Sequence, residues 1–183
     1  MENLTWEKVS KDLYTAVLIQ AGCGIVAGIC SALGLVVPFL SIIGLIFSLG
    51  AVAAGVWFFI SLGNWKKIAD ANDVPAVHKL WLYSLLGIIA GVISVIPVVG
   101  GIIGGLVSLA GLIIYILGVT ALKASTTLPE NVVEGAKKLH LAVVLAIVGA
   151  VVGIIPVIGV VGSILAIVAF VLQILAWKKI ANA

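Results

Sequence analysis

The chain has 183 residues, of which 63% are hydrophobic and only 9% charged, with a formal net charge of +3. A soluble domain carries about 25% charged residues, so this composition excludes a globule covered by water and points to hydrocarbon as the solvent. The small positive balance sits at the edges of apolar blocks and builds no basic face, which argues against nucleic acid as a partner.

The ten lysines and seven acidic residues all fall in four segments: 2–12, 66–79, 123–138 and 178–179. Three blocks without an ionisable carboxylate or amine lie between them, at 13–65, 80–122 and 139–177. A Lys at the centre of a span costs about 3 kcal/mol for insertion, whereas each Leu or Ile returns about half a kcal/mol. Charge placement therefore marks the blocks as membrane-embedded.

Taken in chain order, residues 1–12 form a short interfacial segment, with Leu4, Trp6, Val9 and Leu13 giving it an apolar face. The first apolar block is far longer than a signal-peptide core of about 7–15 residues and is expected to remain as membrane spans. Spans are predicted at 13–37 and 41–64, then 80–96 and 101–122, then 139–155 and 160–177. Cys23 and Cys30 lie about 10 Å apart along the first of them, too far for a disulfide. They read as small residues in a helix contact, with a metal or redox pair as the alternative. The span 80–96 has about 25 Å of helix against a hydrocarbon core of about 30 Å, so it needs local thinning or a turn just inside the far interface.

The blocks repeat. Pro38, Pro97 and Pro156 follow one another at 59-residue intervals. Val95-Ile96-Pro97-Val98-Val99-Gly100 matches Ile154-Ile155-Pro156-Val157-Ile158-Gly159, and Asn64-Trp65-Lys66-Lys67-Ile68-Ala69 matches Ala176-Trp177-Lys178-Lys179-Ile180-Ala181. Pro lacks the N–H a helix interior needs, and Gly supplies freedom for reversal. The turns are therefore placed at Pro38, at Pro97 with Gly100, and at Pro156 with Gly159. The expected fold is all-α: a polytopic membrane bundle of three consecutive Pro/Gly-turn hairpins and six transmembrane helices. The repeats cover about 13–68, 78–123 and 137–180, within one membrane domain spanning 1–183.

All lysines lie in the terminal segments and the two longer loops, none at the proline turns. The positive-inside rule then puts both termini in the cytoplasm. Trp65 with Lys66 and Lys67, Lys79 with Trp81, and Trp177 with Lys178 and Lys179 are assigned to the membrane interface as an aromatic and basic belt.

No catalytic, metal-binding or cofactor constellation is present. The apolar blocks lack the buried acids and bases of proton relays and ion-coupled carriers, and they lack a nucleophile beside a base. His78 and His140 read as interfacial side chains, with a two-residue metal or pH site as the weaker alternative. Gln20 and Gln173 are expected to hydrogen-bond between helices and join the first span to the last. Small-xxx-small pairs at Gly24/Gly28, Gly87/Gly91, Gly100/Gly104, Gly101/Gly105 and Gly149/Gly153 are assigned to close helix packing.

The unit of apolar helix, Ile96-Pro97-Val98-Val99-Gly100 or Ile155-Pro156-Val157-Ile158-Gly159, apolar helix and a basic exit such as Trp177-Lys178-Lys179 resembles uncharacterised multi-hairpin integral membrane proteins of bacteria and archaea. That resemblance covers nearly the whole chain and implies a prokaryotic plasma-membrane location, with no activity attached. Three hairpins are also the plan of mitochondrial carriers, but the acidic–basic motif after their prolines is missing here. Three functions follow as expectations. The first is a structural or assembly role, with membrane lipid and a second copy or another membrane protein as partners. The second is a pore or carrier for a neutral or lipidic solute, with a cavity lined by Ser31, Ser94, Ser108, Gln20 and Gln173. The third is membrane shaping by hairpins that do not emerge on the far side, since Val95–Ile103 and Ile154–Val161 carry no polar side chain.

Overall fold

The computed structural model describes residues 4–93, 96, 99–153 and 159–183, with 99–101 and 159 described by backbone alone. Six α-helices make up the fold: α1 (Trp6–Gly34), α2 (Pro38–Ile68), α3 (Val74–Ile93), α4 (Val99–Lys123), α5 (Glu130–Gly153) and α6 (Gly159–Ala181). All six are long and apolar enough to cross a membrane. Helix is the form hydrocarbon imposes, because every backbone N–H and C=O must find its partner within the segment.

The helices begin and end further into the charged segments than the apolar blocks alone indicate. Residues 6–12 do not form a separate segment on the membrane surface: they are the first turns of α1. Thr5 caps that helix, its side chain accepting from the Lys8 N–H at 3.4 Å, and Glu7 complements the positive end of the helix dipole. The apolar face expected to lie on lipid turns inward instead, with Val9 and Leu13 buried. Pro38 opens α2 as its first residue, where a missing N–H costs nothing. Pro75 likewise sits in the first turn of α3, and Pro129 directly precedes α5. Lys66 and Lys67 extend α2, and Lys178 and Lys179 extend α6, placing positive charge where the dipole is negative. Gly100 and Gly159, expected in turns, fall within the first two positions of α4 and α6. Pro97, Pro156 and Ser94 lie outside the described residues.

Consecutive helices pack as three pairs, α1 on α2, α3 on α4 and α5 on α6. Narrower contacts of α2 with α3, α4 with α5 and α1 with α6 close the six into a ring. One hydrophobic core joins the N-terminal ends of α1, α3 and α5 to the C-terminal ends of α2, α4 and α6, so directions alternate around the ring. This is the lysine-rich end of the bundle.

Within the pairs, small residues set the spacing. A Cβ at Gly162 would stand 2.5 Å from the Gly149 carbonyl oxygen and 2.7 Å from the Gly153 nitrogen, so α5 and α6 touch backbone to backbone. Between α1 and α2, Cys30 and Ser31 lie against Gly44 and Cys23 against Gly50, the contact role expected of the two cysteines, which are free thiols.

Candidate functional site

The charged end of the ring is sealed. Leu13, Leu62, Leu80, Leu122 and Leu139, one from each of the first five helices, meet Trp65, Trp177 and Ile180, and none is more than 1% exposed. Trp177 meets the Phe58 ring edge-on at 5.1 Å, and Trp65 meets Trp6 at 5.3 Å. The indoles of Trp65 and Trp177 thus do not face outward as those of an aromatic belt would: they fill the junction where the six helices converge. Trp81 is half-buried between α2 and α3, stacked on His78 at 5.7 Å with the Lys66 ammonium 5.6 Å above its ring. Lys66 Nζ donates to His78 Nδ1 at 3.0 Å. Lys67 and Lys178 are exposed, Lys79 is half-buried, and Lys179 pairs with Glu134 at 2.9 Å.

Loops tie this plug from outside. Asp73, 4% exposed, accepts from Ser125 Oγ at 2.7 Å and from Thr127 Oγ1 at 2.6 Å, joining the α2–α3 and α4–α5 connections. Trp6 Nε1 donates to the Ala183 carbonyl at 3.1 Å, and Asn131 Nδ2 to that of Asn182 at 2.9 Å. Sequence reasoning missed this network. A lone Asp in a polar loop carries no pattern that names a partner 52 residues away.

Above the plug lies a half-open chamber of about 860 Å³, walled by α1, α2, α3, α6 and Tyr115 of α4, with Ile25, Val52, Val92, Gln20 and Gln173 of its wall exposed. A smaller cavity of about 230 Å³ adjoins it between α3, α4, α5 and α6, and the two share Tyr83, Tyr115, Phe170 and Gln173. The chamber wall is mostly aliphatic and aromatic and contains no charged side chain. Its polar side chains are Gln20, Gln173, Ser84, Tyr83, Tyr115 and Trp177.

Gln20 and Gln173 do converge from the first and last helices, as their chemistry predicts, but on the chamber. Neither makes a hydrogen bond with a described residue. The α1–α6 closure rests instead on packing and the Trp6 bond. Of the serines expected in a cavity, Ser31 lies at the α1–α2 contact, Ser108 is absent from the wall, and Ser84 takes a place no pattern had marked.

The glycine assignments divide. Gly149 packs tightly, as its spacing predicts. Gly153 packs too, its backbone lying against Gly162, whereas a Cβ on Gly24, Gly28, Gly87, Gly91 or Gly105 would meet nothing within 4 Å among the described residues. Gly24, Gly87 and Gly91 line the chamber, where the absent side chain leaves room rather than a contact. Gly101 is described by backbone alone. The two uses of glycine share a spacing, since both need one smooth helix face.

No group of three metal-ligating side chains exists among the described residues. No family model, curated protein or solved structure matches the chain.

Proposed function

We propose that this chain is a non-enzymatic membrane protein of carrier type, holding an uncharged and mainly apolar solute between its six helices. One observation carries the reading: a chamber of about 860 Å³ above a sealed plug, with three wall glycines facing open space. Helical proteins fill their interiors to near-crystalline density, and ligand sites are the usual exception, at about 300–1,000 Å³. The wall has no carboxylate or ammonium to answer a charged solute, and an unpaired ion there would pay a heavy desolvation penalty. The plug argues against a permanently open pore, so passage requires the charged end to open.

Lysine placement orients the protein with its charged end and both termini in the cytoplasm. The three hairpins then point their proline turns toward the far side of a plasma membrane, and the chamber loads from that side or from lipid.

Native mass spectrometry of the protein purified from its membrane in mild detergent tests the reading. A retained uncharged lipid or solute is expected on the wild-type protein and absent from Gly87→Leu/Gly91→Leu, whose side chains fill the chamber. A wild-type protein without adduct, or a filled variant that retains it, rejects the proposal.

A second reading, assembly with a second copy, draws on Gly28 and Gly105. These are open within one chain and stand off the chamber wall, which suits close backbone approach in a bilayer. Single-molecule subunit counting in lipid, with and without Gly105→Leu, tests it.

A further inference from the structure

The chamber is not uniform along its length. Its polar side chains gather one helical turn beyond the plug. Gln173 is four residues before Trp177, Tyr115 four before Val119, Tyr83 three after Leu80 and Gln20 three after Val17, each step measured from a core residue of the same helix. Further out the wall is Gly24, Gly87, Gly91, Ile25 and Val92, without polarity.

In this layer the Tyr115 ring is 6% exposed and packs against Tyr83 with centroids 4.6 Å apart. Its hydroxyl is buried and has no hydrogen-bond partner among the described residues. A buried hydroxyl without a partner is rare and costly, and calls for an explanation. The residue lines both cavities, at their junction, where a bound molecule would supply the missing partner. Gln20 and Gln173 bring two further amides, each both donor and acceptor.

Building on the carrier reading, we infer that this layer is the recognition end of the chamber and seats the uncharged hydroxyl or carbonyl group of an otherwise apolar molecule. The Tyr115 hydroxyl makes the deciding hydrogen bond, the two glutamine amides complete the set, and the hydrocarbon body runs outward along the glycine face. A phenol and two amides serve a neutral head in either hydrogen-bonding sense. They offer no counter-ion to a carboxylate or an ammonium, and burial penalises both.

Benzophenone is a suitable probe: a neutral carbonyl between two rings, which attaches to nearby C–H bonds under ultraviolet light. The full chain in phosphatidylcholine nanodiscs is irradiated with it, and labelled residues are located by mass spectrometry. Diphenylmethanol, diphenylmethane and diphenylacetate compete, at concentrations expressed per bilayer lipid. Labels are expected on the chamber wall. Diphenylmethanol should displace them about tenfold more effectively than diphenylmethane, the worth of one hydrogen bond, and diphenylacetate should not displace them. In Tyr115→Phe, which keeps the ring and its packing, the tenfold preference should fall to within about twofold, and Gln173→Met should lower it as well. Equal displacement by alcohol and hydrocarbon in the wild type, an undiminished preference in Tyr115→Phe, or displacement by diphenylacetate overturns the inference while leaving the chamber a binding site. Absence of any label on the wall overturns the carrier reading itself.

Discussion

Adding one methyl group at two different glycines should have opposite effects on stability. Ala is favoured over Gly in a helix by about 1 kcal/mol. At Gly87 a Cβ meets nothing within 4 Å, so Gly87→Ala should stabilise by up to about 1 kcal/mol. At Gly162 the same atom would lie 2.5 Å from the Gly149 carbonyl oxygen, 2.7 Å from the Gly153 nitrogen and 2.8 Å from its Cα. All three are backbone atoms, and none can rotate aside. Restoring ordinary contact pushes α5 and α6 apart by roughly 1 Å, which forfeits up to half the dispersion energy along that seam. Overpacking of this kind costs about 1–3 kcal/mol. Set against the helix preference, Gly162→Ala should be destabilising by up to about 2 kcal/mol, leaving the two variants about 1–3 kcal/mol apart. Reversible unfolding in mixed micelles by titration with sodium dodecyl sulfate, followed by circular dichroism, measures the difference. A Gly162→Ala protein as stable as Gly87→Ala would refute the close-contact argument.

The plug and its straps give further tests. Trp177→Ala empties the six-helix junction and should cost about 3–5 kcal/mol in the same unfolding assay. Asp73→Ala removes the acceptor of two charge-assisted bonds between loops, and a loss of about 2–4 kcal/mol is expected. Its thermal midpoint should fall accordingly, and an unchanged midpoint would show that the loop network contributes nothing. With Cys23 and Cys30 replaced by Ala, single cysteines placed at Leu40, Asn72 and Thr126 report topology. An impermeant maleimide applied to intact cells should label the first and reach the other two only after permeabilisation. Labelling of all three only after permeabilisation would favour hairpins that enter and do not emerge.

The membrane character and the number of helices were legible because their cause is compositional: one Lys in mid-span outweighs several Leu, and none is there. Helix ends were less legible. Val74–Lys79 and Glu130–Lys138 look like polar loop by charge, yet they continue helices whose inner faces, including Val77, Val132 and Ala136, are buried in the plug. Tryptophan beside lysine has two physical explanations, and the belt was chosen where packing applied. A large indole fits the headgroup region and also fits a junction of six helices; only the ring closure, set by α1 meeting α6, decides between them. The glycine pairs failed for a related reason. Their spacing identifies a smooth face but not what stands opposite, and for Gly24, Gly87 and Gly91 that is empty volume. Tyr115 escaped notice because an aromatic in an apolar stretch reads as core, which its ring is; only its hydroxyl departs from that pattern.

The confinement of shared contacts to one end gives the ring the mechanics of a collet. Among the described residues, the side chains that bind all three pairs together lie near the lysines. From Leu62 in that clamp, α2 runs 24 residues to Pro38, a lever of about 36 Å. A tilt of about 6° at the clamp would swing its tip by roughly 4 Å, near the width of a hydrocarbon chain. On the proposed carrier reading, admitting a guest requires only that the far ends spread while this grip holds.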